Sequence, residues 1–330
     1  MKKSFHTVKK AGILTAAAVL GTTALAGCGS KADTTESAAA SEAATEAAGE
    51  AEASDAQLVI AGGDSAGLIA AVQAAAEGMD PSKILILAPG EELAADMTEM
   101  APYVNAADTD EQFQANLTDD FEIYLSDIMT AGNNTNNSDM AAYVSENSEE
   151  AKELACRHTG NGVWRSGTGG RFLGGPQFPG KRGKSERACT EALLKKVEEL
   201  KIPVEYKAEL KSVAYDEEGA LDRITVTVDG KDQEIDCLAL VATDVSLIPV
   251  FEESQVYEAD GKAAALVVSN NAEQLNKDSG ELINGLYAAG PILSAAVDGE
   301  GVLSGNELTE AVMFGSTAGT EAAVYVSDNQ

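Results

Sequence analysis

"LVIAGGDSAGLIAAVQAAAEG", residues 58–78, is the stretch that decides the fold. Its first part, within the short apolar run at 57–63, predicts a β-strand. Residues 65–78 repeat apolar side chains at helical spacing, and Gly78 is a natural helix stop. A second apolar run at 83–90 is bounded by prolines and predicts a buried strand. Strand, helix and strand within about 30 residues predict a right-handed βαβ unit.

The turn inside this unit has the form of a degenerate nucleotide-binding turn. Such turns carry glycine at the first, third and sixth positions of a six-residue window. Residues 62–67 have glycine at the first and sixth positions, but the third is Asp64. A carboxylate there is expected to clash with a phosphate and repel it. The acid that usually ends the second strand is replaced by Ala88, followed by Pro89, so the turn alone leaves open whether the chain binds a dinucleotide or descends from one that did.

The remaining chain mixes helical and strand patterns. Residues 111–156 read as helices interrupted at 131–139, where Ser138 or Asp139 is predicted to cap the second helix. Further helices are predicted over 186–200 and 305–326. Strands are predicted over 203–210, 211–219, 223–230, 233–244, 265–270 and 285–290. This mixture predicts an α/β fold with an inserted β-sheet.

The first 27 residues read as an export signal. Four lysines precede an apolar segment at 11–24, which is shorter than the ~20 residues of a membrane span. Residues 25–28, Leu-Ala-Gly-Cys, resemble the bacterial lipobox. We therefore predict cleavage before Cys28, a diacylglycerol thioether on its sulfur, and attachment to the extracytoplasmic face of the cell membrane.

Residues 28–55 are mostly Ala, Glu, Ser and Thr, and offer almost nothing that a core could bury. We expect a disordered acidic tether here, which leaves 56–330 as the folded core. The formal net charge is −31, and loss of the four signal lysines makes it −35. A chain this acidic repels nucleic acid and anionic lipid head groups. Nucleic-acid binding is therefore excluded, and the lipid alone is expected to anchor the chain to the membrane.

The cysteines and histidines do not predict a metal site. With Cys28 lipidated, Cys156, Cys189 and Cys237 remain, and their spacing fits neither a zinc knuckle nor a CxxC pair. His158 is the one histidine beyond the signal, so no zinc ligand set is predicted. The three thiols are expected to be free or buried.

Several blocks of sequence, in order, resemble the flavoprotein subunit of fumarate reductase and succinate dehydrogenase, in particular its exported branch. The resemblance covers about residues 56–323. Its blocks are "VNAADTDEQF" (104–113), "DIMTAGNNTNNSDMAAYVSENSEEAKEL" (127–154), "CLALVATD" (237–244), "INGLYAAG" (283–290) and "GVLSGNELTEAVMFGSTAGTEAA" (301–323).

The resemblance implies a Rossmann-like FAD-binding domain, interrupted by a mobile capping domain that closes over a dicarboxylate. In that family hydride passes from reduced flavin to the substrate, an arginine donates the proton, and histidines and arginines hold the carboxylates. FAD is the cofactor that it implies. The positions that it assigns to cofactor binding are Gly62, Gly63, Ser65, Ala66, Gly67, Gly290, Asn306 and Leu308.

The chain departs from this pattern where the chemistry should be. Only residues 245–263 stand where the family has its capping domain, so the segment with the proton donor is missing and no catalytic residue is assigned. Asp298 replaces a substrate-binding histidine, and Val302 replaces a carboxylate-binding arginine. Two expected flavin contacts are also replaced, by Asp244 and Pro291. The cofactor site is therefore predicted to be degenerate.

Three functional interpretations follow from these residues. The chain is a flavin-binding electron-transfer protein completed by a redox or cap-supplying partner, a non-catalytic scaffold descended from such a protein, or a solute-binding lipoprotein that reuses the cleft. A basic stretch within 157–187 is read either as an anion or docking patch or as a solvated loop.

Overall fold

The computed structural model describes residues 55–98, 100, 104–114, 116–159 and 185–330. The described residues belong to one compact unit, 48–330. The predicted signal, Cys28, and the tether as far as residue 54 lie outside them. The basic stretch also lies outside, apart from the backbone at its two ends. The side chains of Cys156, His158 and Cys189 are not among those described.

A six-stranded sheet forms the centre of the unit, in the order β10-β11-β7-β1-β2-β3. All neighbouring strands are parallel except β10, which is antiparallel to β11. The residues of β1, β2 and β7 are buried throughout, which explains their continuous apolar sequences. The strands are β1 (Leu58–Ala61), β2 (Ile84–Ala88), β3 (Val204–Tyr206), β7 (Ala239–Ala242), β10 (Glu273–Leu275) and β11 (Leu282–Ala288).

Helices cover this sheet, and none of those described is long and apolar enough to cross a bilayer. Asn137, rather than Ser138 or Asp139, caps α4: its Oδ1 accepts hydrogen bonds from the backbone N–H of Asp139 at 3.1 Å and of Met140 at 3.2 Å. The helices are α1 (Ser65–Ala76), α2 (Asp110–Gln114), α3 (Phe121–Ala131), α4 (Ser138–Glu146), α5 (Ser148–Thr159), α6 (Ser185–Leu200), α7 (Pro291–Asp298) and α8 (Asn306–Asp328).

The backbones of α1 and α8 approach each other closely where the helices cross, because α8 has glycine at the positions that face α1. A Cβ on Gly315 would lie 2.8 Å from the carbonyl oxygen of Ala66, and one on Gly319 would overlap the carbonyl oxygen of Ala70. The small residues along one side of the predicted helix 305–326 thus allow backbone contact with the helix of the nucleotide-binding turn.

The inserted β-sheet is a three-stranded antiparallel sheet, β4-β5-β6. The sequence predicts one strand over 233–244, but the structure divides it: its first part is exposed and ends this small sheet, whereas its second part is fully buried and enters the central sheet as β7. The strands are β4 (Ala208–Tyr215), β5 (Leu221–Val228) and β6 (Lys231–Asp236).

The link that stands in place of a capping domain is short and ordered. It consists of a 3-10 helix, Val245–Val250, followed by a hairpin of β8 (Val256–Ala259) and β9 (Lys262–Leu266). The capping domain is absent between β7 and β11. The described part of the chain is thus an α/β core whose central sheet is accompanied by the three-stranded inserted sheet and the β8–β9 hairpin.

Candidate cofactor site

The turn between β1 and α1 lies at the carboxyl end of the central strands, where ligands bind in open α/β sheets. Gly62 begins it with φ +144°, and a Cβ at this position would overlap the hydroxyl of Thr243. Gly67 is equally restricted, since its Cβ would overlap the carbonyl oxygen of Gly62. Both glycines of the sequence motif therefore serve the tight turn itself.

Asp64 caps the helix that follows the turn. Its Oδ1 accepts a hydrogen bond from the backbone N–H of Gly67 at 2.9 Å, and the Thr243 hydroxyl donates to its Oδ2 at 2.5 Å. Burial of the carboxyl, and secondarily the charge of Asp96, raise the pKa of Asp64 to about 7. The sequence predicts this residue only as an obstacle to phosphate, whereas the structure also gives it a structural role as the α1 N-cap.

A second carboxylate, Asp96, lies directly on the N-terminus of α1. The backbone N–H of Ser65 donates to its two oxygens at 3.0 and 3.1 Å, and the Ser65 hydroxyl donates to Oδ2 at 2.5 Å. A helix N-terminus favours an anion through its free N–H groups and its dipole. Here the chain supplies that anion itself, from a 3-10 turn 31 residues further on.

The structure brings the turn residues assigned to cofactor binding against Gly290, and it buries Asn306 and Leu308 at the start of α8. Ser65, Ala66 and Asn306 have no exposed surface, and Leu308 is 3% exposed. A Cβ on Gly290 would overlap that of Ala66, so α1 and the start of α7 are in contact. Of the eight positions, Gly63 is the one that is half-buried; Gly62, Gly67 and Gly290 are buried.

Asn306 is held by a buried network at the start of α8. Its Oδ1 accepts hydrogen bonds from the Tyr124 hydroxyl at 2.7 Å and from the Asn105 side chain at 3.0 Å. The backbone N–H of Asn105 donates a hydrogen bond to the Thr309 hydroxyl, and that hydroxyl donates to the backbone carbonyl oxygen of Asn105. The Oδ1 atom of the side chain that the resemblance assigns to flavin is therefore engaged with the protein, whereas its Nδ2 is buried without a hydrogen-bond partner.

We expect Tyr124→Phe to lower the free energy of unfolding by about 1 kcal/mol, since it removes one buried hydrogen bond and leaves Asn306 its second donor. Urea unfolding of the variant and the wild type measures the difference. Phe121→Leu, at a more exposed position of the same helix, is the control and is expected to change stability less. Equal stability of Tyr124→Phe and wild type would contradict the proposed tie between α3 and α8.

The four substituted positions do not converge on one pocket. Asp298 is 2% exposed, whereas Val302 is 51% exposed. Asp244 caps the 3-10 helix by accepting a hydrogen bond from the Ser246 N–H at 2.8 Å. Pro291 occupies the first turn of α7, where its missing N–H costs nothing. Each replacement residue is compatible with local structure.

Two clefts lie near the carboxyl ends of the strands. The first, of about 260 Å³, is lined by residues that include Gly62, Pro89, Lys211 and Asp244. The second, of about 650 Å³, is mostly apolar and lies along the 3-10 helix and Val256. Pockets for drug-sized ligands span about 300–1,000 Å³, so the cleft beside the glycine turn is small for a dinucleotide.

No group of three or more potential metal ligands occurs among the described side chains. Cys237 is free and buried, as predicted, and burial raises the pKa of its thiol to about 12. Such a thiol is unreactive at neutral pH.

Comparison with solved structures identifies the fold. The chain matches the open conformation of a flavocytochrome c3 fumarate reductase with a TM-score of 0.65, at 12% identity, over 82% of this chain and 78% of that one. The fold is that of the fumarate reductase flavoproteins. A 3-ketosteroid dehydrogenase of Rhodococcus jostii matches with a TM-score of 0.63, at 15% identity, over 81% of this chain and 96% of that one.

A quinol fumarate reductase chain of E. coli also matches, with a TM-score of 0.57, at 14% identity, over 83% of this chain and 71% of that one. No family model and no curated protein matches the sequence. The resemblance seen in the sequence blocks is therefore confirmed at the level of this flavoprotein fold. At these identities it is the fold, and not the activity, that is shared.

Proposed function

We propose that the chain is a non-catalytic, membrane-anchored protein that retains the flavoprotein fold without binding FAD. The observation that carries this proposal is the Asp96 carboxylate, bonded to Ser65 at the N-terminus of α1. This is the place where the fold would otherwise present N–H groups to a phosphate.

Displacement of Asp96 by a phosphate is unfavourable for two reasons. The phosphate must replace charge-assisted hydrogen bonds, each worth about 1.5–3 kcal/mol. The turn also contains the Asp64 carboxyl, and the negative charge of Asp244 acts on that Asp64 carboxyl. An approaching pyrophosphate would therefore meet several acidic groups in a partly buried turn.

The flavin end of the site, defined by the assigned positions Asn306 and Leu308, supports the same proposal. Asn306 and Leu308 are buried and packed, so a flavin ring would have to open the contact between α1, α7 and α8. The substrate clamp is missing as well, with Asp298 and Val302 in its place. We therefore propose that this chain alone does not reduce fumarate; fumarate-dependent oxidation of reduced viologen by the purified chain would show otherwise.

The anchoring proposal rests on the sequence alone. Cys28 would carry the lipid and residues 28–55 would hold the core away from the extracytoplasmic face of the membrane. A protein that has lost its cofactor but kept its core is suited to a scaffold or binding role. A partner chain that supplies a cap or electrons is the alternative, and it requires FAD binding.

Titration of FAD, followed by quenching of flavin fluorescence, tests the proposal. We expect no saturable binding by the wild type. The double variant Asp64→Gly/Asp96→Asn removes both acidic groups and is expected to bind FAD saturably, with a Kd at least about tenfold below the highest FAD concentration at which the wild type shows no binding, which corresponds to about 1.4 kcal/mol. Asp80→Asn, at an exposed capping aspartate, is the matched control and is expected to behave as the wild type.

Two outcomes are decisive in this titration. Stoichiometric binding of FAD by the wild type would overturn the proposal and favour the partner-completed flavoprotein. A double variant that binds inorganic pyrophosphate but not FAD would show that the phosphate turn was restored and that the packed flavin end still excludes the cofactor.

A further inference from the structure

Two carboxyl groups face each other inside the corner between α7 and α8. Asp298 is the last residue of α7 and is 2% exposed; Glu310 lies in the second turn of α8 and is 1% exposed. Both carboxyl oxygens of Asp298, and Oε1 of Glu310, are buried without a well-formed hydrogen bond; the buried Nδ2 of Asn306 also has none, and the Asn306 side chain has only a minor lowering effect on the pKa of Asp298. The Ser294 hydroxyl donates to Oε2 of Glu310 at 3.3 Å.

Among the described residues, the charged groups that act on the pair are acidic. Glu307, on the first turn of α8, adds a further negative charge, and the hydroxyl of Tyr124 faces both carboxyls from α3. On the β8–β9 hairpin, the Tyr257 hydroxyl donates its hydrogen bond to the backbone carbonyl oxygen of Thr135 and not to the carboxyl pair. Also on the hairpin, Glu258 and Lys262 are exposed.

Two neighbouring carboxylates buried this deeply cannot both remain ionised, because each charge is removed from solvent and repels the other. One proton removes the repulsion and lets one carboxyl group donate a hydrogen bond to an oxygen of the other. We propose that Asp298 and Glu310 share one proton, and that this carboxyl pair locks the α7–α8 corner until the proton is lost. The lock lies next to Asn306, so its release would loosen the packed flavin end of the site.

Burial is the main cause of the shifted acidity in both groups. It raises the pKa of Asp298 to about 7, and it raises the pKa of Glu310 well above its ordinary value, with the charge of Asp298 adding to the effect. Because the unfolded pKa values are lower, the lock's stabilisation is full below about pH 4 and is lost progressively as pH rises toward and above 7. The corner is therefore expected to open on the alkaline side of neutrality.

Hydrogen exchange of the backbone amides, expressed as protection factors, tests the lock. In the wild type, protection in α7 and the first turns of α8 is expected to fall by up to about tenfold per pH unit between about pH 5 and 8, relative to β1. The double variant Asp298→Asn/Glu310→Gln removes both ionisable groups and is expected to abolish this local dependence. Glu307→Gln, at the half-buried neighbour, is the control and should retain most of it.

An equal pH dependence in the double variant and in the wild type would overturn the proposal. So would protection in the wild type that rises at alkaline pH on addition of Na⁺, K⁺ or Ca²⁺, because the pair would then hold a cation. Infrared spectroscopy needs no variant at these positions. In an Asp64→Asn background, the protonated carboxyl band should persist at about pH 6, and its absence there would also refute a shared proton.

Discussion

Gly319→Ala is expected to lower the free energy of unfolding by about 2–3 kcal/mol, a typical cost of overpacking a close contact. In an ordinary helix this substitution stabilises by about 1 kcal/mol, because alanine has the higher helix propensity. Here the new Cβ would overlap the carbonyl oxygen of Ala70, so α1 and α8 would have to move apart. A loss of stability therefore indicates that α1 and α8 are in close contact at Gly319, whereas a gain indicates that they are not. Guanidinium unfolding measures this change in the free energy of unfolding.

Ser327→Ala, near the exposed end of α8, is the matched control. It introduces the same residue into the same helix away from the crossing and is expected to leave stability unchanged or slightly increased. A Gly319→Ala variant as stable as the wild type would show that α1 and α8 do not approach as closely as described.

Asp64→Asn is expected to flatten the dependence of stability on pH. The pKa of Asp64 is about 7 in the folded protein and 3.8 in the reference state, so between these values the folded protein holds a proton that the unfolded chain has lost. The stabilisation is full below about pH 4 and is lost as pH rises to about 7, on the order of 4 kcal/mol in all. Asparagine keeps the capping acceptor and cannot ionise.

Guanidinium unfolding at about pH 5 and pH 8 measures this effect. The wild type should lose stability toward pH 8 through Asp64 and the Asp298–Glu310 pair, and Asp64→Asn should lose less. Asp80→Asn is the control, because hydrogen bonds from Ser82 lower the pKa of that exposed cap. An unchanged pH dependence in Asp64→Asn would mean that Asp64 is ionised at neutral pH in the folded protein.

Much of the fold follows from local sequence pattern. The apolar runs of β1 and β2, the helix between them and the small residues of α8 all predict elements that the structure contains. The division of 233–244 is not predicted, because partner sheets are a tertiary property. Asn137 and the following serine and aspartate are all good capping residues, so composition alone does not choose among them.

The site is less predictable than the fold. Asp64 stands out in the sequence because it occupies a glycine position. Asp96 gives no such signal: it is one of many acidic residues in a chain with 54 of them, and the fold alone brings it to Ser65. The pairing of Asp298 with Glu310 is also invisible in the sequence, since helical spacing does not relate residues on two helices.

The visible absorption spectrum of the protein, purified after expression without residues 1–27, tests the central claim most directly. The account predicts a colourless protein without flavin absorbance, because the α1 N-terminus holds the Asp96 carboxylate and the flavin positions are packed. A yellow protein with one flavin per chain would contradict it.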